Sequence, residues 1–379
     1  MSKYIASFFA LSVLILTISC SKLDVNPLEK ALMSNHPAIQ KVMHNLVAHE
    51  VQILYTQIDK DSMGNTVFTE YSFQLDDEQY FYPASTVKLP AAVLALEWIQ
   101  TLDSITTQVP YGFKGDTSLY DLKTDLRLIF GISDNAAYNR LYELLGRDSI
   151  NSKLRSKNIT PVRISHRLST PNANRAHREP FFFWYSGDTI AFNGGKDSAI
   201  EPLELKGLHK GTGFLQNDSL IESPMDFSEK NYFPLRSQQE LLKRLFYPEK
   251  YAQNQQFKLN ESRHGLLSRY ISDVPYSLGF RDTTYYDAYG KFLIFGDSKD
   301  SIPHHVKIHN KVGYAYGTLT DNAYVVDEAY DIKFFLSATI LVNENGIFND
   351  NEYEYEEIGI PFLAQLGREI YLYERQRKK

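Results

Sequence analysis

Cysteine is almost absent from this sequence: Cys20 is the only one. An intrachain disulfide is therefore impossible, and so is a cysteine-based metal site. A net positive charge is also lacking. The formal net charge is −6 and no basic stripe stands out, which argues against nucleic acid as the main partner. With 20 glycines and 15 prolines, the chain is too poor in both to be collagenous or of low complexity. What it does have is apolar and aromatic. Hydrophobic residues make up 43%, with 26 Tyr and 23 Phe, which speaks against extended disorder. A length of 379 residues suits two or three domains, or one large domain with lobes, at ~150 residues per domain.

Long uncharged apolar runs are equally rare, and the clearest one lies at the start. Residues 4–19 follow Lys3 and end at Cys20. A positive residue, an apolar run and small residues before a cut site read as an export signal. The run is shorter than the ~20 residues of a membrane span. Leu16-Thr17-Ile18-Ser19-Cys20 resembles a bacterial lipobox, with the Leu one position farther from the Cys. Residues 1–19 are therefore expected to be a signal peptide, with Cys20 lipidated and residues 20–34 a tether. Residues 35–379 are the folded domain. Export to the periplasm or cell exterior removes ATP as a driving force, so hydrolysis or acyl transfer is the economical expectation.

Periodicity predicts a helix over 36–48, through Ile39, Val42, Met43, Leu46 and Val47. Val51 to Ile58 and Thr66 to Phe73 alternate like a hairpin about Met63-Gly64-Asn65. Ser85 to Leu102 is apolar nearly all round, so that helix must be buried. Helices follow over Leu119 to Phe130, stopped by Gly131, and over Asn135 to Leu145, stopped by Gly146. Glycines and prolines punctuate 160–225 around the aromatic knot Phe181-Phe182-Phe183-Trp184, which predicts a long, partly strand-like excursion. A helix over Ser237 to Phe246 follows, then strands at His305 to His309, Ala323 to Val326 and Phe334 to Val342, then a last helix over Tyr355 to Arg375. The expectation is an α/β (α+β) fold whose sheet is built from both chain ends.

Three short motifs could carry chemistry. Ser85 and Lys88 lie three apart at the start of the buried helix, on one helical face. A desolvated lysine can be the base that a serine nucleophile needs, and a helix start offers a free N–H to an oxyanion. The competing reading is an N-cap serine and a snorkelling lysine. S-x-x-K is a weak signal alone, and Ser19 to Lys22 repeats it by accident. Ser133-Asp134-Asn135 lies between two helices. It is either a plain N-cap, or a proton relay at Ser133 with a substrate donor at Asn135. Lys311-Val312-Gly313, before Tyr314, is either a turn with a solvated lysine or a strand along a cleft.

In this order the three motifs resemble the S-x-x-K, S-D-N and K-T-G signature of class A β-lactamases and penicillin-binding proteins. Ser133 to Gly146 also looks like the helix that follows the second motif in that superfamily. The resemblance covers about residues 35–375. It implies a β-lactamase/transpeptidase-like fold: an antiparallel sheet covered by helices, plus a helical lobe, with the cleft between them. It implies Ser85 as the acylated nucleophile and Lys88 as the base. Ser133 would pass a proton to the leaving nitrogen with help from Lys311. Asn135 would orient the substrate, Gly313 would let it approach the backbone, and the N–H groups of Ser85 and Tyr314 would hold the oxyanion. No metal or cofactor is implied.

Two departures stand out. Val312 replaces a hydroxyl residue that would bind a substrate carboxylate. No loop glutamate for deacylation is evident, and Glu179 is the nearest candidate by spacing in a rebuilt 165–225 region. His305 and His309 share a strand face without further metal ligands, His166 and His177 are expected to bond locally, and the acidic run Asn349 to Glu357 reads as a solvated loop. The expected activity is hydrolysis of a β-lactam. The alternatives are a D,D-peptidase or esterase on cell-wall peptide or ester substrates, or a β-lactam-binding sensor without turnover.

Overall fold

The computed structural model describes residues 26–378. The expected signal peptide, Cys20 and the first part of the tether lie outside these residues. From Pro27 on, the expected tether is folded: α1 (Pro27–Leu32) buries Leu28, Ala31 and Leu32. The single helix expected over 36–48 is two, α2 (Pro37–Met43) and α3 (Leu46–His49). The break leaves Val47 93% exposed, whereas Ile39 and Val42 are buried.

The hairpin forms as expected. β1 (Gln52–Lys60) pairs with β2 (Thr66–Phe73). Gly64 turns the chain at φ +83°, and the Asp61 carboxylate accepts from the N–H groups of Met63 and Asn65. Four strands from the C-terminal part complete the sheet: β3 (Val306–Asn310), β4 (Gly313–Ala315), β5 (Thr318–Asp327) and β6 (Ile332–Leu341). The order is β3-β5-β6-β1-β2, with β4 also on β5, and every pair is antiparallel. Both faces are covered. Along β6, Phe335 joins the helical core, while Phe334 and Leu336 join the core under the last helix. This is the period-two alternation of a strand with two buried faces.

Helices α4 (Lys88–Ile99), α5 (Leu122–Ile132), α6 (Asn135–Leu145) and α7 (Arg147–Ser156) form the lobe. Helix α8 (Leu235–Phe246) lies against the sheet, α9 (Glu261–Ser272) against α5 and β3. Helix α10 (Ile360–Arg377) packs on α1 and α2. α4 is central: Leu89 and the unbroken run from Ala91 to Leu96 are all buried. Gly131 does not stop α5. It lies inside the helix, where a Cβ would meet the Phe280 ring at 2.3 Å, and Ser133 ends the helix at φ 55° instead. Gly146 caps α6 as expected, at φ 81°. α7 and α9 escaped the periodicity reading because each buries few apolar residues, Ile150 and Leu154 in one, Leu267, Tyr270 and Ile271 in the other.

The 160–225 excursion is a set of short strands. Phe181–Tyr185 pairs with Tyr111–Phe113 and with Asp188–Phe192. Its aromatics dock on the lobe: Phe181 stacks on Phe192 at 4.9 Å, and both meet Trp98 of α4. The knot is thus a packing device and lines no part of the cleft described next.

Candidate active site

Ala84–Val87 forms a 3-10 turn that runs straight into α4. Ala84 is held at φ 45°, a conformation that costs a residue with a Cβ. The turn is tied by Thr86, whose Oγ1 donates to the Pro83 carbonyl at 2.8 Å. Within residues 81–90 only Ser85 escapes full burial, so the turn presents one hydroxyl to the cleft.

Lys88, one turn on, is 0% exposed and snorkels nowhere. Its Nζ donates to the Ser133 carbonyl, to Ser133 Oγ at 3.2 Å and to Asn135 Oδ1 at 2.6 Å. Ser133 is not the helix cap. Asp134 caps α6, accepting from the Ala137 N–H at 2.7 Å, which leaves the Ser133 hydroxyl for other work. Its left-handed backbone turns that hydroxyl between two amines, because Lys311 Nζ donates to the same oxygen at 2.9 Å and to the Val312 carbonyl at 2.8 Å. Neither lysine has a carboxylate ion pair among the described residues. Burial holds Lys88 well below the ordinary lysine value, and the nearby Lys311 pushes the same way against Asp134. Burial brings Lys311 down to about 7, opposed by Asp321 and reinforced by Lys291. Two cations flanking one part-buried hydroxyl repel each other, so the site favours at least one neutral amine.

β4 runs beside the serine turn because residue 313 is glycine. A Cβ there would lie 2.5 Å from the Pro83 carbonyl oxygen and 3.0 Å from the Ser85 nitrogen. That close approach brings the backbone at Gly313 and Tyr314 to the Ser85 N–H. The Val312 side chain is 4% exposed, belongs to the core under the sheet, and does not line the main cleft. All seven residues expected at the site on the three motifs, Ser85, Lys88, Ser133, Asn135, Lys311, Gly313 and Tyr314, therefore converge on one place.

Three of them, Ser85, Asn135 and Tyr314, line a cleft of about 530 Å³, with Ser85 and Asn135 taken as its floor. Two sets of residues make its walls: Tyr314, Tyr316, Tyr353 and Tyr355 in the first, and His166, Arg167, Ser169 and Lys230 in the second. Asn349 and Asn351 also line it. The run from Asn349 to Glu357 is thus more than a solvated loop: it turns Tyr353 and Tyr355 inward while Glu352, Glu356 and Glu357 face solvent. Asn135 Nδ2 donates to Ser169 Oγ at 2.9 Å, which ties the floor to the second wall.

Among the described residues no carboxylate lines this cleft. Glu179 is elsewhere, half-exposed and paired with Arg175 at 2.9 Å, so its expected candidacy is not supported by position. His166 does bond locally, to the Arg167 carbonyl through Nδ1, and stacks parallel to Tyr82 at 6.2 Å. Burial lowers its pKa to about 4, so the ring is neutral at ordinary pH. His305 pairs with Asp327 at 2.9 Å, and His309 packs on Phe246 and Tyr324. Among the described residues no cluster of three or more His, Cys, Asp or Glu could hold a metal ion.

The wall residues His166, Ser169, Lys230, Tyr316 and Tyr353 escaped sequence reasoning as cleft residues. Only the inward alternation of Tyr353 and Tyr355 within the acidic run offered a signal.

Comparison with known proteins bears on the fold. Residues 36–189 match the model of a family described as the β-lactamase enzyme family. No curated protein matches the chain. Among solved structures, a β-lactamase from Desulfarculus baarsii is similar at TM-score 0.51 and 14% identity, over 91% of this chain and 98% of its own. A class A β-lactamase from Mycobacterium abscessus is similar at TM-score 0.50 and 13% identity, over 85% and 93%. L2, solved in complex with relebactam, is similar at TM-score 0.50 and 14% identity, over 92% and 98%. Strand order, helical lobe and these matches together give the chain a β-lactamase-like fold.

Proposed function

We propose that this protein is an exported serine hydrolase that forms an acyl-enzyme at Ser85 and opens β-lactams or related cyclic amides. The observation that carries the reading is the Ser133 hydroxyl held between the Lys88 and Lys311 amines, beside an accessible Ser85. In the proposed reaction neutral Lys88 takes the Ser85 proton as Oγ attacks the carbonyl carbon. The N–H groups of Ser85 and Tyr314 receive the developing oxyanion. As the C–N bond breaks, Ser133 gives its proton to the leaving nitrogen and recovers one from the lysine pair. Water then attacks the Ser85 ester and releases the acid. The relative solved with relebactam makes this ligand chemistry a reasonable first trial.

A second reading is favoured by one specific observation: among the described residues no carboxylate lines the cleft to activate water. On that reading the acyl-enzyme persists, as suits a peptide-transferring or sensing protein. The lipobox-like run ending at Cys20 supports a membrane-anchored location outside the cytoplasm.

Labelling with a fluorescent penicillin tests the reading. Wild type should label, and Ser85→Ala and Lys88→Met should not while still melting cooperatively. Full labelling of Ser85→Ala would overturn the proposal. Label that appears and then clears indicates hydrolysis; label that stays indicates the second reading.

A further inference from the structure

The charges of the cleft are uneven. The chain is net negative, yet no Asp or Glu lines the cleft among the described residues. Two cations stand in its second wall, Arg167 and Lys230. Arg167 is spent: its Nε donates to Glu143 at 2.6 Å, and its other nitrogens donate to the carbonyls of Ala173, Arg175 and His177. Lys230 is different. It is partly buried, and its amine has no hydrogen bond or ion pair among the described residues. Burial lowers its pKa; Glu229 and Asp226 pull the other way from a distance without pairing. The neighbouring His166 is neutral and supplies no counter-charge. A partly desolvated ammonium without an anion is an expense that a ligand can relieve.

The position also says which part of a substrate it would meet. Ser133 and Lys311 lie together, with Val312 and Tyr289, in a small recess lined by no residue of 166–173 and not by Lys230. In the proposed reaction that is the side of the leaving nitrogen. Lys230 instead lines the main cleft with Ser85 and His166, the space left for the acyl portion.

We propose that Lys230 is a specificity residue that binds a carboxylate carried on the acyl side of the substrate. The natural acyl donor is then an amide whose acyl portion bears its own negative charge. The loss of the hydroxyl at Val312 fits this: recognition of charge has moved from one side of the cleft to the other. The proposal rests on the acyl-enzyme reading above.

Benzylpenicillin and its α-carboxybenzyl analogue differ by one acyl-side carboxylate and give a matched pair. Acylation efficiency at Ser85, followed by mass, should favour the carboxylated donor by about tenfold or more in wild type, as a charge-assisted contact warrants. Lys230→Met should collapse that ratio toward one through the apparent affinity rather than the limiting rate, and Lys230→Arg should restore it. Thermal melts confirm that each variant is folded. A wild-type ratio near one would overturn the proposal, and so would a ratio that survives in Lys230→Met. If neither donor labels Ser85, the acyl-enzyme reading itself fails and this inference falls with it. That outcome is distinct from labelling without preference.

Discussion

The floor of the cleft and its walls are built on different principles. The floor is local. Ser85 and Lys88 are one helical turn apart, Ser133 and Asn135 flank one helix cap, and Lys311 and Gly313 lie where β3 ends and β4 begins. Each pair needs only a short, regular piece of backbone to hold its geometry. The walls are non-local. His166, Lys230, Asn349 and Tyr353 come from irregular segments far apart in the chain, held by long-range bonds such as Asn231 Oδ1 to the Ser165 N–H at 2.7 Å. The comparison teaches a division of labour: the floor sets the chemistry, and the walls set what enters.

The division can be broken or sharpened by substitution. The largest effect should come from the floor. Ser85→Ala or Lys88→Met should lower the acylation rate by at least about 10³-fold without unfolding the chain, measured by adduct formation against thermal melts. Next is Gly313→Ala, whose methyl group would press on the Pro83 carbonyl and the Ser85 nitrogen. It should cost about 10²-fold in acylation if it spoils the oxyanion donors. The floor also depends on the packing beneath it. Leu94→Ala, in the fully buried face of α4, should destabilise by about 2–5 kcal/mol in denaturant unfolding.

A smaller effect concerns pH. Lys291 and Lys311 are both fully buried, with pKa values brought down to about 7 by burial. Between pH 7 and 9 the unfolded chain keeps these protons and the folded chain sheds them. Stability contributed by the two lysines should therefore rise with pH in that window and be lost as pH falls through 7. Lys291→Met should flatten the rise in a pH series of melts. The smallest effect should be that of Glu179→Gln. It lies outside the cleft, so the rate of acyl-enzyme clearance should stay within about twofold.

The same division explains how much was legible in the sequence. The hairpin, the buried α4, α6 with its glycine cap, and the strands of both chain ends follow from periods of 2 and 3.6. So does the spacing that sets Ser85 and Lys88 one helical turn apart. Gly131 misled because glycine inside a helix can serve close packing, here against Phe280, as well as a cap. The break at His44 and Asn45, and the helices α7 and α9, depend on tertiary contacts that no local pattern records. Lys230 was invisible for the same reason. A lysine beside Glu229 reads as solvated, and only the fold shows that Lys230 lines the cleft and that its amine has no partner among the described residues.

Intact-protein mass spectrometry after brief exposure to penicillin tests the central claim most directly, with Ser85→Ala as control and the supernatant assayed for opened lactam. The account predicts a penicilloyl adduct on wild type that maps to Ser85 and is missing from the variant. An adduct of equal yield on Ser85→Ala, or lactam opened equally by both proteins, would contradict it.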